Sequence, residues 1–535
     1  MKSPSHLGIL CLTFLLTSCQ ASVPAGDRAT HPASGPASRP AKVKITISRE
    51  TTYISGPVNP DGTINYVAYL NEKYSKGVTA DNNAGVAILR ILGPNLIDEP
   101  IRGKTYALLQ MNMLPDTGDY FLTYRDYVEK TVPEPDQKGA IDQHEPATRY
   151  LWSAKMYPVV AQWLSTQEDH LAALCEASKL PRYYIPLVCP GQTPCVLGAV
   201  LPRLSLCLDA AKALVARALL RANAGDLEGA RADLAATRRL ARLFSQDPVV
   251  LGWLVGMSAA SLAAKATERL VITGNLPPRQ LKAMLEELNA TPPLPDIRET
   301  ISKERFCGLD AIMIAARGSV HSLRELVVMA NPGRPQKQDA LLLSLQKERP
   351  DWDETLRTYN RWFDDLAEPI QGNRTTKQER SWEAANNDYA NLRAKLRELG
   401  SEEGWLKDVL RTRKETPAQR RKRIGKETGD LLSAIFMPRL ARAITLHKQA
   451  ITEVELARTA TALAVYKADT GKFPDNLAAL APKYVKTVPV DVFGGRPLVY
   501  KTRGKGYLLY SIGSNLKDDG GKDDYEEGDI VVRVE

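Results

Sequence analysis

An acidic segment close to the C-terminus holds the residues best suited to bind a metal ion. Between Asp518 and Asp529 the sequence places five aspartates and two glutamates. Carboxylates this close together repel one another unless a hard cation or solvent screens them, and calcium takes six to eight oxygen ligands. The segment is therefore predicted either to bind calcium or to form an exposed acidic loop, partly neutralised by Lys517 and Lys522.

Two cysteines have a spacing that suits a short disulfide. Cys189 and Cys195 flank a turn-rich stretch that contains two prolines and a glycine. In an oxidising compartment they would close a small loop, and buried free thiols are the alternative. No two of the seven cysteines are separated by two residues, so the sequence gives no support to a zinc site or a thioredoxin-like site.

No arrangement of residues in the sequence predicts an enzyme. None of the six histidines belongs to a His-Glu-x-x-His motif or follows a Gly-x-Ser-x-Gly turn. Adjacent carboxylates such as Asp364 and Asp365 diverge on a helix, so they do not form an acid and base pair that faces one substrate. A non-enzymatic role is expected.

The N-terminus has the pattern of an export signal. Lys2 precedes a short apolar run from Leu7 to Leu16, and the stretch Leu16-Thr17-Ser18-Cys19 follows. This stretch resembles the lipobox of bacterial lipoproteins. The resemblance implies cleavage before Cys19 and acylation of that cysteine, which would hold the protein on either membrane of the cell envelope. An ordinary secretory signal is the alternative, and the run is shorter than the roughly 20 residues that span a bilayer.

The formal charge of +9 is unevenly distributed. Residues 515–535 hold eight acidic and three basic side chains, so the rest of the chain carries +14. An exported chain rarely meets nucleic acid, so no nucleic-acid partner is expected. Anionic lipid headgroups, envelope polymers or other envelope proteins are the predicted partners, and plain solvated surface is the alternative.

Composition divides the chain into five regions. The signal (1–19) is followed by a Pro/Ala/Ser-rich segment (20–42) that is predicted to be a disordered tether. Apolar spacing of three and four predicts a mostly α-helical body over 43–333. In this body, Gly225-Asp226 is predicted to divide a helical hairpin. The uncharged residues 249–264 are predicted to form a helix buried by its neighbours, and a membrane segment is the alternative. A polar, basic and peripheral helical arm is predicted over 334–430, and a long helix with a small α+β module over 431–535, so the fold class is mainly α.

The end of the predicted arm is strongly basic. Seven further arginines and lysines follow Arg411 up to Lys426, and Glu415 is the only acidic residue among them. Such a run predicts either a contact with an anionic surface or a solvated charge run.

The last 75 residues or so carry a spaced set of residues typical of a known family. The set includes Gly471, Phe473-Pro474, Asp491, Phe493-Gly494, Tyr510-Ser511-Ile512-Gly513, Asp518-Asp519-Gly520-Gly521 and Asp529-Ile530. It resembles the C-terminal domain of the major pseudopilin of type II secretion systems. Gly471-Lys472-Phe473-Pro474 is predicted to end the long helix, and residues 498–500 and 507–510 are predicted to pair as a hairpin around Gly504-Lys505-Gly506. A true pseudopilin begins with a prepilin leader and an apolar helix, whereas this chain begins with a lipobox.

The resemblance also implies where calcium would bind. In pseudopilins the terminal loop binds calcium, and the matching ligand candidates in this chain are the Ile512 carbonyl oxygen, Asn515, Asp518, Asp519, Asp523 and Asp529. The loop is longer than the family pattern and does not follow EF-hand spacing.

The expected function is that of a membrane-anchored envelope lipoprotein that acts as an interaction scaffold and carries a calcium-stabilised terminal module. One alternative is an accessory component of a type II secretion or pilus-like system. The other is an envelope hydrolase, which predicts a deep pocket with convergent polar groups in the helical body.

Overall fold

The computed structural model describes residues 44–190, 201–316, 348–367, 413–522 and 528–535, together with positions 196, 199, 408 and 411. The described chain is mainly helical and has one small antiparallel sheet near its C-terminus, as the sequence predicts.

The helices follow one another along the body in chain order. They are α1 (Tyr66–Ser75), α2 (Ala84–Leu92), α3 (Glu99–Leu108), α4 (Tyr124–Thr131), α5 (Glu134–Ile141), α6 (His144–Ala147), α7 (Pro158–Thr166), α8 (Glu168–Ala177), α9 (Leu204–Asn223), α10 (Leu227–Phe244), α11 (Val250–Thr273), α12 (Pro278–Ala290), α13 (Ile297–Ala316), α14 (Trp352–Ala367) and α15 (Pro417–Thr470). Short 3₁₀ turns lie at Pro94–Leu96 and Leu477–Leu480.

Helices α9 and α10 form the predicted hairpin. Gly225 lies in the turn between α9 and α10 and has a φ of +89°, a backbone conformation that residues other than glycine rarely adopt. The Asp226 carboxylate then caps α10 by accepting the N–H of Gly229 at 2.9 Å.

Helix α11 is the predicted buried helix. By length and composition it could cross a bilayer, yet 67% of its most apolar window lies inside the protein. Trp253 and Val255 are fully buried, and α11 packs against α9, α10 and α15. Its apolar surface is therefore covered by other helices of the protein.

Helix α15 is 54 residues long and contributes residues to two hydrophobic clusters of the described structure. It begins with a capping box in which Thr416 and Gln419 satisfy each other's backbone N–H groups, and it ends at Gly471 in the left-handed conformation. The sequence predicts that this helix begins near residue 431, whereas it begins at Pro417.

The described part of the predicted 334–430 arm is not peripheral. In α14, Leu356, Tyr359 and Phe363 are fully buried, and they join a second hydrophobic cluster with α1, α13 and the middle of α15. These three residues recur at intervals of three and four, which makes a narrow apolar stripe among many charged residues. Because the segment is polar overall, this narrow apolar stripe was not recognised in the sequence.

The C-terminal sheet has the order β1 (Val499–Arg503), β2 (Gly506–Ser511) and β3 (Ile530–Val534), and both pairs of strands are antiparallel. The β1–β2 hairpin agrees with the prediction, with Tyr500 opposite Leu509. Strand β3 was not predicted. All six residues of the central strand β2 are buried, so the sheet packs firmly onto the helical body.

Candidate functional site

The C-terminal module shares its hydrophobic core with the helical body. Leu463 of α15, Leu480, Tyr507 and Leu509 belong to one buried cluster that also contains residues of α2, α9 and α10. Outside this core, the Asp469 carboxylate binds Lys282 of α12 at 2.7 Å and Lys483 at 3.2 Å. These bonds, with one from the Tyr484 hydroxyl, lower the pKa of Asp469 to about 2. The module is therefore fixed to the body.

A buried aspartate organises the module. The Asp491 side chain is 4% exposed, and its carboxylate accepts the N–H of Phe493 (2.9 Å), the hydroxyl of Ser511 (2.8 Å) and the N–H of Ile512 (3.0 Å). Three donors from two parts of the chain thus meet at one carboxylate. Asp491 joins the loop before β1 to the end of β2, directly before the acidic loop.

The acidic loop uses its carboxylates to hold its own backbone. Asp529 is 1% exposed and accepts the N–H groups of Gly521 (2.7 Å) and Asp519 (3.4 Å). Gly521 has a φ of +80°, and a Cβ there would lie 2.7 Å from Leu508 Cδ2. Glycine is therefore required where the loop folds back over the sheet.

Asp518 belongs to a polar chain that crosses the hairpin. Lys501 Nζ donates to the Tyr510 hydroxyl (3.0 Å), and this hydroxyl donates to Asp518 Oδ1 (2.8 Å). Asp518 also accepts the N–H of Gly520. The hydroxyl of Tyr510 and the N–H of Gly520 hold the pKa of Asp518 below its usual value.

The predicted calcium ligands are brought only partly together. Asn515 Nδ2 donates to Asp519 Oδ2 at 2.8 Å, and the N–H of Ile512 is bound to Asp491. Among the described residues, no three Asp, Glu, His or Cys side chains form a group that could hold a metal ion. Asp523 lies outside the described residues. The described part of the loop does not complete a site by itself, so calcium binding stays a prediction.

The other predicted site residues lie mostly outside the described chain. Cys19 and Cys195 are not among the described residues, so lipidation and the disulfide also stay predictions. Cys189 is buried, and a few residues before it the backbone of Leu187 is held from both sides by the side-chain amide of Asn71 (2.8 and 2.9 Å).

Part of the basic run before and within α15 is neutralised by ion pairs. Arg420 pairs with Glu348 (2.7 Å), Arg423 with Glu415 (2.6 Å), and Lys426 with Asp430 (3.1 Å). The side chains of Lys414, Arg421 and Lys422 are exposed and form no ion pair with described residues. The run is therefore neither wholly free nor wholly paired.

Sequence reasoning missed a buried ionic network between α8, α9 and α10. The Asp233 carboxylate accepts two bonds from Arg217 (2.7 and 3.1 Å) and one from Arg221 (3.0 Å). The side chains of Arg217 and Asp233 are only 4% and 1% exposed. The feature of the sequence that could have predicted this network is the presence of charged residues on the inner face of an Ala-rich hairpin. Glu168 of α8 also pairs with Arg217 (3.0 Å) and Arg221 (2.7 Å), so the network joins all three helices.

A second buried group is also structural. Asp247 accepts the N–H of Val249 (3.0 Å), the residue before α11, while Lys303 of α13 donates to the backbone carbonyls of Asp247 (2.6 Å) and Ser245 (3.3 Å). Burial raises the pKa of the Asp247 carboxyl to about 6 and lowers that of Lys303 to about 8.

Two open grooves lie on the described surface near α12. One is formed by the outer face of α12 around Arg279 and Glu286, and the other lies between the end of α12, Arg458 of α15 and residues 482–486. No histidine or cysteine lines either groove. Neither has the deep, convergent form that the hydrolase alternative predicts.

The fold and the site together define a mainly α-helical protein that carries a small three-stranded module on its longest helix. Comparison of the chain with protein-family models, with curated proteins and with solved structures gave no match.

Proposed function

We propose that the protein is a lipid-anchored envelope scaffold that presents a pseudopilin-like module to other proteins. The observation that carries the proposal is the fixed attachment of the module: its sheet and the helical body share one core, and Lys282, Asp469 and Lys483 form an ionic link beside it. A module held in this way presents its outer surface in one orientation, which suits a docking platform.

The residues behind the pseudopilin resemblance have structural roles in the module, which supports this proposal. Asp491 binds three donors, Tyr510 binds Asp518, and Gly521 permits the turn above Leu508. Residues that hold the sheet and its loop together support a shared fold more strongly than similar composition alone would.

Lipid anchoring is tested by replacing Cys19. The change Cys19→Ser is expected to abolish incorporation of labelled fatty acid and to move the protein from the membrane fraction to the soluble fraction. Cys11→Ser is the matched control, because Cys11 lies in the apolar part of the signal and should leave both results unchanged. Label that persists in the Cys19→Ser variant would contradict the lipobox interpretation.

The second candidate function is that of an accessory component of a secretion or pilus-like system. Two large apolar side chains on the module, Val490 (49% exposed) and Leu516 (60% exposed), favour it. Leu516 also has a φ of +59°, which is uncommon for leucine and holds its side chain in solvent. Exposed apolar groups of this kind are typical of contact surfaces.

Co-purification with pseudopilins tests this candidate. Leu516→Asp is expected to reduce recovery of pseudopilin subunits, because a carboxylate cannot be buried at an apolar contact without a partner. Met113→Asp changes an equally exposed side chain on the body (55% exposed) and should not reduce it. Equal losses in both variants, or no pseudopilin with the wild-type protein, would refute the secretion role.

We also propose that calcium stabilises the C-terminal module. Thermal unfolding of the full chain should show a higher midpoint with calcium than with chelator, since a ligand that binds only the folded state stabilises it. The rise should disappear in the Asp518→Ala, Asp519→Ala double variant and persist in Asp116→Ala, which removes an exposed carboxylate of the body. An unchanged midpoint in the wild-type protein would reduce the loop to solvated surface.

A further inference from the structure

The described chain enters the body beside the basic run of α15. The N–H of Thr46 donates to the carboxylate of Asp353 at 2.9 Å. Two residues earlier, the N–H of Asp351 donates to the carbonyl oxygen of Arg421 at 3.1 Å. A Cβ added to Gly425 would lie 2.3 Å from the Asp351 carbonyl oxygen, so the two segments touch closely. We call this end of the molecule, formed by residues 44–46, 351–353 and 413–425, the tether pole.

Residues 413–425 of the tether pole hold six cations, of which three are available to a partner; Arg413 is paired with Asp408 and Glu427. Lys44 is a further exposed cation of the pole. Lys414, Arg421 and Lys422 are exposed and make no ion pair within the described part of the chain, whereas Arg420 and Arg423 are held by Glu348 and Glu415. The paired arginines fix the start of α15 against its surroundings. The three remaining cations therefore project from a rigid support.

The acidic loop starts beside the same helix, just past its middle: Lys448 Nζ lies 5.8 Å from the ring of Phe493, and Asp491 binds the N–H of Ile512 at the start of the loop. Lys448 follows Arg421 by 27 residues, or about 40 Å along the helix. Helix α15 has 54 residues, which corresponds to about 80 Å at 1.5 Å per residue. Residues 515–535, with eight acidic and three basic side chains, follow it in the sequence. The tether pole and the acidic loop thus differ in the sign of their charge, and an anionic surface would attract the tether pole and repel the acidic loop.

The length of the predicted tether agrees with this orientation. Only 24 residues, 20–43, separate Cys19 from the first described residue. For the unstructured tether that the composition predicts, 24 residues have a mean span of roughly 25–30 Å. This span is much shorter than α15, so an anchor at Cys19 would keep the tether pole near the membrane.

We propose that Lys414, Arg421 and Lys422 form a surface that binds the anionic phospholipid headgroups of the membrane in which the protein is anchored. The orientation argument rests on the proposed lipid anchor, whereas the binding surface itself is a property of the described residues. Each lysine or arginine near an anionic membrane surface contributes about fivefold to affinity, so three contribute on the order of 100-fold. The acidic loop of the module would then be directed away from the membrane.

Vesicle co-sedimentation of the chain from residue 19 with Cys19→Ser tests the surface without lipid. This protein retains every described residue and carries no acyl group. It should bind vesicles of phosphatidylcholine with 30% phosphatidylglycerol, should not bind vesicles of phosphatidylcholine alone, and should bind less as salt is raised. The triple variant K414Q/R421Q/K422Q should bind the anionic vesicles on the order of 100-fold more weakly.

The matched control removes the same charge from another part of the molecule. Lys472, Lys486 and Lys505 are exposed residues of the C-terminal module, and K472Q/K486Q/K505Q should retain wild-type binding. Equal weakening in both triple variants would overturn the proposal, because it would show a general effect of net charge. Binding of soluble polyglutamate through Lys414, Arg421 and Lys422 without binding of anionic vesicles would also overturn it, in favour of an acidic polymer.

The vesicle result is independent of acylation. Anionic vesicle binding through the three cations, with no fatty acid on Cys19 in cells, would refute the lipid anchor and support the surface. Acylation of Cys19 without vesicle binding by the unlipidated chain would support the anchor and refute the surface.

Discussion

Removal of the Asp233 carboxylate should be among the most damaging single changes to the body. The carboxylate is 1% exposed and compensates the Arg217 guanidinium, which is 4% exposed and bound to it by two bonds of 2.7 and 3.1 Å. In Asp233→Ala, Arg217 keeps the half-exposed Glu168 carboxylate at 3.0 Å and two longer contacts, to the Glu168 carbonyl oxygen (3.5 Å) and Cys175 Sγ (3.8 Å). Breaking a buried ion pair from one side costs about 3–5 kcal/mol of the free energy of unfolding.

A double variant separates the cost of leaving Arg217 without Asp233 from the net contribution of the ion pair to the free energy of unfolding. Replacing both partners with apolar side chains, in Asp233→Leu with Arg217→Met, removes the uncompensated charge. Replacement of buried ion pairs by packed apolar groups is often neutral, so the double variant should lie within about 1 kcal/mol of wild type. Urea unfolding, followed by far-ultraviolet circular dichroism and tryptophan fluorescence, measures all the variants.

A surface pair with the same geometry provides the control. Arg102 and Asp116 also approach to 2.7 Å, but Asp116 is 83% exposed. Asp116→Ala should therefore cost less than about 1 kcal/mol. If Asp233→Ala costs no more than this control, or if the double variant is less stable than Asp233→Ala, the buried-charge argument is refuted.

Three further predictions concern single side chains. Because burial raises the pKa of Asp247 to about 6 from an ordinary value near 4, its ionised form destabilises the folded state above pH 6 by about 3 kcal/mol. The stability contributed by this group thus rises as pH falls from 7 to 4, and urea midpoints of Asp247→Asn should lack this dependence; equal pH profiles of variant and wild type would contradict it. Gly85→Ala should cost about 1–3 kcal/mol, because a Cβ there lies 2.6 Å from the Tyr184 carbonyl oxygen, whereas Gly103→Ala in α3 meets nothing within 4 Å and should be neutral or stabilising in the same titration. Asp491→Ala leaves three donors without their acceptor and should cost about 2–4 kcal/mol, with the largest loss of amide-exchange protection in the loop before β1 and at the end of β2; protection unchanged at Ile512 would show that Asp491 does not hold the sheet.

Local signals predicted the elements that depend on neighbouring residues. Gly225-Asp226 marked the α9–α10 turn, and Gly471 marked the end of α15, because a left-handed glycine ends a helix without help from the rest of the fold. The β1–β2 hairpin has its turn at Gly504 and was predicted for the same reason.

Elements that depend on distant partners were not predicted. Strand β3 is short and pairs with β2 across the acidic loop, and the contact of α14 with α13 spans a long stretch of sequence. In the candidate site, Asp491 was part of the resemblance, but its bonds to Ser511 and Ile512 depend on the folded sheet. Asp247 and Lys303 lie 56 residues apart, and no local pattern indicates that they meet.

Helix α15 also determines how the molecule loses its structure. Its middle residues, such as Leu440, belong to the hydrophobic cluster of α13 and α14, while Leu463 belongs to the cluster of the hairpin and the terminal sheet. Two cores that share one uninterrupted helix cannot melt independently without breaking that helix. The described body should therefore unfold cooperatively as one unit, and a cut within α15 should convert one transition into two.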